Sequence, residues 1–224
     1  MTRPPSRGSR APFPKLALAG FLVLLALSVA VALTVAARPR AEIEPPPELA
    51  RLPDFSLQDS SGRAVGRTDL LGKPWVAEMI FTRCPFSCPR MTERMRGLER
   101  GLERAGGARR VSISVDPEHD VPEVLARHRS SLGVRDPEWL FLTGGREEIA
   151  ELVVGGFRLG LDTDPPDGAA EPILHSTRFV LVDGRGVIRG YYDAFQPGEV
   201  ERLLRELAAV HREAEKAGPA GGVG

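Results

Sequence analysis

Residues 75–89 read WVAEMIFTRCPFSCP, from Trp75 through Phe81, Cys84 and Cys88 to Pro89. The run Trp75 to Phe81 is apolar except at Glu78, and its length and aromatic and β-branched content predict a central strand. That strand runs directly into a short segment holding both of the chain's cysteines. Beyond it, Met91, Met95, Leu98 and Leu102 recur at helical spacing with charges between them. Residues 90–104 are therefore predicted as an amphipathic helix. Strand, dithiol turn and helix form the unit from which the rest of the chain is read.

Upstream of this unit, Phe55–Leu57 and Arg63–Val65 flank Ser-Ser-Gly and suggest a short hairpin. Downstream, strands are predicted at Arg110–Val115 and near Trp139–Leu142, separated by a helix over 122–132. Another helix, Glu147–Val154, should end at Gly155-Gly156. Arg178–Val182 and Val187–Tyr192, joined by Asp-Gly-Arg-Gly, read as a β-hairpin. Pro197–His211 reads as a closing helix, with Val200, Leu203, Leu204 and Leu207 on one stripe. The order β, α, β, α, β, hairpin, α places residues 53–212 in the α/β class, a sheet with helices on both faces. Residues 213–224 are expected to be a disordered tail.

Charge divides the chain. All four bases before residue 16 (Arg3, Arg7, Arg10, Lys15) precede the first acid, Glu42. From residue 38 onward the other 26 of the 30 bases meet all 30 acids, so that part carries −4. A mildly acidic domain argues against nucleic acid as partner, because phosphate binding wants a basic face. Leu16–Ala37 is a run of 22 residues without a charge. As a helix it would extend about 33 Å, enough for a hydrocarbon core of roughly 30 Å. The run exceeds a signal peptide's apolar region, and arginine follows where a cleavage site would have small residues. The reading is a cytoplasmic tail (1–15) and an uncleaved transmembrane anchor (16–37), then a proline-rich linker (38–52). The four leading bases keep the amino terminus in the cytoplasm, leaving the domain outside the inner membrane.

A disulfide across so short a loop as Cys84 to Cys88 adds little stability. At the start of a helix, however, backbone N–H groups favour thiolates, so both sulfurs are expected to be reactive or to be ligands. Pro85 and Pro89 lack an N–H and place the pair on a shaped loop before the helix. Three residues lie between the cysteines, one more than in a Cys-X-X-Cys dithiol. Two thiolates make a soft site that suits Cu(I) or zinc, and such a site needs a third ligand. Four histidines are available. His211, near the tail, is expected to be exposed, and His128 is spaced to pack with Val121, Leu125 and Leu132. His119, in Asp-Pro-Glu-His-Asp, lies on a loop after a strand and can approach the site. His175 precedes the strand RFVLV, and nothing in its own sequence context distinguishes it.

Taken together, five motifs resemble the SCO/SenC family of copper-binding, thioredoxin-like proteins of cytochrome c oxidase assembly. They are Gly72-Lys73-Pro74; Phe81-Thr82-X-Cys84-Pro85-X-X-Cys88-Pro89; Ser114-Val115-Asp116-Pro117-Glu118-X-Asp120-X-Pro122-Glu123; Leu142-Thr143-Gly144; and His175-Ser176 before a strand ending in Asp183-Gly184. The resemblance implies a thioredoxin-like fold, a central mixed sheet flanked by helices, with Cys84, Cys88 and His175 ligating one copper, Cu(I) or also Cu(II). Asp116 and Asp120 match family positions near the site. The implied role is a chaperone that carries copper to the oxidase subunit with the CuA site; the upstream copper donor is not named by the sequence. A thiol–disulfide reductase using Cys84 and Cys88 as a redox pair is the alternative. A peroxiredoxin-like peroxidase comes third, since it needs neither the second cysteine so close nor the late histidine. Three positions depart from the family: Arg83 where histidine is common, Leu174 where an acidic or small polar residue is common, and Glu78 where an aromatic residue is frequent. A carboxylate at Glu78 needs a partner, for which Arg83 is the candidate, or a place at the sheet edge.

Overall fold

The computed structural model describes residues 15–36, 43–84, 87–162 and 174–218. The chain divides into two compact units, Met1–Glu42 and Ile43–Gly224. The first contains helix α1 (Lys15–Ala36), whose side chains are described from Ala19 to Val31 and are exposed, Phe21, Leu22, Leu24 and Leu27 among them. Among the described residues, no helix is long and apolar enough to cross a membrane.

The second unit is built on β4 (Trp75–Ile80), β5 (Arg109–Ser114) and β6 (Trp139–Thr143), which pair in parallel. Their crossovers are α2 (Ser87–Gly97) with α3 (Glu99–Arg104), then α4 (Pro122–Ser131). A hairpin of β9 (Arg178–Val182) and β10 (Val187–Asp193) adds to the other side of β4, antiparallel to it. Short strands β1 (Ala50–Arg51), β2 (Ser56–Asp59) and β3 (Ala64–Gly66) complete an eight-stranded sheet in the order β1-β10-β9-β4-β5-β6-β2-β3. Side chains alternate across β4. Trp75 packs edge-on against Phe157, which follows α5 (Arg146–Ala150) and a π-helical turn, Glu151–Gly156. Glu78, three residues on, faces the opposite way, toward Ser112. Both faces are thus covered, and burial of Trp75, Met79, Phe141, Phe157, Phe179 and Leu207 contributes about 1.5–3 kcal/mol per side chain. The closing helix α6 (Glu199–Ala217) docks on β10, where the Tyr192 hydroxyl donates to Glu206 at 2.6 Å.

Four expectations change. The helix predicted over 90–104 is two helices, α2 and α3, meeting at Leu98, and α2 begins at Ser87. Cys88 consequently lies in the first helical turn rather than on a loop before it. Pro89 permits this, because first-turn N–H groups have no intrahelical acceptor to lose. The closing helix runs past His211 to Ala217 before Gly218, at φ +71°, ends it, so residues 213–217 of the expected disordered tail are helical. The linker is also no free spacer from Ile43 onward: β1 pairs with β10, and the buried Arg189 donates through Nε at 3.0 Å and Nη2 at 2.5 Å to the Pro46 carbonyl. The same guanidinium meets Asp183 and Glu213, so its burial is compensated.

Candidate metal centre

At the C-terminal end of β4 the backbone turns sharply, and the Cys84 N–H donates to the Phe81 carbonyl at 3.2 Å. A single buried side chain anchors this turn. Asp120 accepts from the Thr82 N–H (2.9 Å), the Thr82 hydroxyl (2.5 Å) and the Ser114 hydroxyl (2.6 Å), and its Oδ1 lies 2.9 Å from His119 Nδ1. The neighbouring Arg83 donates through Nε (3.0 Å) and Nη2 (2.7 Å) to one oxygen of Asp116. Ser114 links the two acids, since its oxygen also accepts the Asp116 N–H at 3.1 Å. The Asp-Pro motif thus braces the dithiol turn from the next strand. Hydrogen bonding of this kind could be suspected from a polar loop after β5, but spacing alone does not pair Thr82 with Asp120 or Arg83 with Asp116.

Both cysteines are thiols and both are buried, Cys84 6% exposed and Cys88 4%. The Cys88 N–H donates to Cys84 Sγ at 3.2 Å, and the Ser87 hydroxyl lies 3.4 Å from the same sulfur. At Cys88 burial opposes the preference for a thiolate that the helix start gives. Burial pushes its thiol well above the ordinary value, and the adjacent Cys84 sulfur adds to the shift.

His175 lies on β8 (Leu174–His175), which pairs with β7 (Leu161–Asp162) so that Leu161 stands opposite His175. Its side chain is outside the described residues. The backbone nevertheless fixes which end of the sheet it serves. β9 begins three residues later and runs antiparallel to β4, so the chain enters β9 at the end where β4 delivers Cys84. The other histidines sort differently. His128 is half-buried and packs edge-on against Phe141, as its spacing suggests. His211, expected to be exposed, is half-buried with Nε2 2.7 Å from the Gly107 carbonyl oxygen. His119 is exposed beside Asp116 and Asp120, and the ligand atoms of these three lie within 4.8 Å of one another. Those oxygens, however, already accept from Arg83, Thr82 and Ser114.

Glu78 is neither paired with Arg83 nor at an edge. It is fully buried in β4 between β9 and β5, and accepts one hydrogen bond, from the Ser112 hydroxyl at 2.7 Å. Burial pushes its carboxyl up to about 8. The Ser112 oxygen in turn accepts the Trp139 Nε1–H at 2.9 Å.

The fold and this turn define a class: a thioredoxin-like domain carrying two buried thiols where its central strand meets a helix. The family model SCO1/SenC matches residues 44–212, and the chain belongs to that family. It is 32% identical over 158 residues to the SCO1 protein homolog of Bacillus subtilis, covering 70% of this chain and 80% of that one. The solved structure of Bradyrhizobium japonicum ScoI with copper bound is 27% identical, with TM-score 0.57 over 74% of this chain and 100% of that one. BsSco, a member of the Sco family of cytochrome c oxidase assembly proteins in which a disulfide switch was identified, is 28% identical. Its TM-score is 0.65 over 75% of this chain and 97% of that one.

Proposed function

We propose that this protein is a membrane-anchored copper chaperone that binds one copper through Cys84, Cys88 and His175 and delivers it to the CuA site of cytochrome c oxidase during assembly. One observation carries the reading: two buried thiols and the strand bearing His175 converge on one end of the sheet. The donor set fits the cargo, since two soft sulfurs and an imidazole suit three-coordinate Cu(I). Such a site can release copper by stepwise ligand exchange, an acceptor thiolate replacing each donor in turn. A relative with copper bound, and a family of oxidase assembly proteins, support both cargo and destination. The anchor rests on the uncharged run Leu16–Ala37 and on the exposed apolar side chains of α1, which need cover. The bases ahead of α1 orient the domain away from the cytoplasm.

The test is copper stoichiometry of the reduced full chain. One copper per chain is expected, lost in Cys84→Ser and in Cys88→Ser. His175→Ala should weaken binding by at least the roughly 10–100-fold that a lost supporting partner costs at other metal sites. Unchanged affinity in His175→Ala would remove it as third ligand. The reductase reading is favoured by the closeness of the two thiols, with Cys84 Sγ held against the Cys88 N–H, and by the disulfide switch of BsSco. It needs the cysteines and not the histidine. Cells carrying His175→Ala should therefore lose CuA oxidase activity, partly restored by added copper, if delivery dominates, and keep it if reduction does.

A further inference from the structure

We propose that the Arg83–Asp116 ion pair sets the preference of the dithiol site for Cu(I) over Cu(II); this rests on the metal-site reading above. Arg83 adjoins Cys84 in the chain, and its guanidinium is fixed on Asp116 by two hydrogen bonds to one carboxylate oxygen. The pair spans the ends of β4 and β5, which are themselves tied by the Val115 N–H donating to the Ile80 carbonyl at 2.8 Å. It therefore stands on the loop that carries the first sulfur. Neither residue is an assigned ligand, so each acts through its charge.

The two copper states respond differently to that charge. Two thiolates and a neutral imidazole carry one net negative charge with Cu(I) and none with Cu(II). A fixed charge nearby therefore acts on the Cu(I) complex and, to first order, leaves the Cu(II) complex alone. Asp116 has an 8% exposed side chain, whereas that of Arg83 is 54% exposed. Water screens the arginine more than the aspartate, so an unpaired Asp116 would penalise the anionic Cu(I) complex. Arg83 cancels that penalty. Of the other acids on the same loop, Glu118 pairs with Arg146 and Asp120 is taken up by Thr82 and Ser114, and Arg83 is the cation hydrogen-bonded to Asp116.

Competition with chelators specific for each oxidation state, on the full-length protein, gives the two affinities and their ratio. Arg83→Gln should lower the Cu(I)-to-Cu(II) affinity ratio, and Asp116→Asn should raise it, each by roughly 3- to 10-fold for a partly screened unit charge. The double variant Arg83→Gln/Asp116→Asn should return close to the wild-type ratio, and Arg83→Lys should stay near it. Opposite signs for the single variants are the discriminating readout, because a merely structural brace would shift both in one direction. Arg83→Gln changes a half-exposed side chain and keeps the test open if Asp116→Asn unfolds, as thermal unfolding of each variant would reveal. Single variants with the wild-type ratio would overturn this inference alone. A wild-type chain that binds no copper would overturn the site reading and this inference with it.

Discussion

Asp120 and Glu78 are both fully buried carboxyl side chains in the same α/β unit, and they have opposite surroundings. Asp120 gathers three donors from Thr82 and Ser114 and a fourth contact from His119, and so ties the dithiol turn to the end of β5. Glu78, six residues before Cys84 on the strand leading to that turn, has the Ser112 hydroxyl on one oxygen and no partner on the other among the described residues. Equal burial thus has unequal consequences. Where donors surround the group, burial stiffens a functional loop. Where they are few, burial disfavours the charge and the proton is retained.

Removing the better-served acid should cost most. Asp120→Ala leaves half-buried Thr82 donors and the buried Ser114 donor unsatisfied and should destabilise the protein by roughly 4 kcal/mol in urea unfolding. It should also loosen copper binding, while a cost below about 1 kcal/mol would mean that the turn holds itself. Glu78→Gln should act in the other direction. Because the folded pKa of about 8 lies above the ordinary carboxyl value, the folded state binds the extra proton between about 4.5 and about 8. Wild-type stability should therefore fall as pH rises through that window. The glutamine variant should be more stable by on the order of 4 kcal/mol at pH 8, with most of the gain gone near pH 5. A gain independent of pH would break the contrast between the two acids.

Smaller effects sharpen the same contrast. Ser112→Ala removes the one donor to Glu78 among the described residues and the acceptor of Trp139 Nε1–H. It should cost about 1–2 kcal/mol and move the Glu78 titration further upward, as following the carboxyl by NMR would show. Thr82→Val removes one of several donors to Asp120 and keeps its N–H bond. A loss of about 1 kcal/mol is expected, with copper stoichiometry unchanged. If Thr82→Val cost as much as Asp120→Ala, the network would hinge on one hydroxyl rather than on the shared carboxylate.

Much of this was legible in the residues. The apolar run from Trp75 and the spacing of Met91, Met95, Leu98 and Leu102 announced a strand and a helix around the dithiol, because burial of a face imposes a period on the sequence. The soft character of the site follows from cysteine chemistry alone. Less legible were features in which a residue's partner is far away in sequence. Leu98 looks like a continuing helical stripe, yet its N–H bonds to Met95 as α2 gives way to α3. Pro46 looks like spacer, yet its carbonyl is the acceptor for an arginine in β10. His211 looks solvent-facing until the Gly107 carbonyl is placed beside it.

The sequence by itself determined the α/β order of elements, the position of the two thiols between strand and helix, and the membership implied by the spaced Cys, Asp-Pro and His-Ser motifs. These depend on local periodicity and on the chemistry of single side chains, both carried by neighbouring residues. The tertiary structure alone decided that Asp120 rather than a solvent shell holds the turn, that Arg83 serves Asp116 and not Glu78, and that Cys88 is raised by burial despite its place in a helix's first turn. Hydrogen-bond partners and desolvation are set by what the fold brings alongside a group, and that neighbourhood is assembled from β4, β5 and their loops, which lie more than thirty residues apart in the chain.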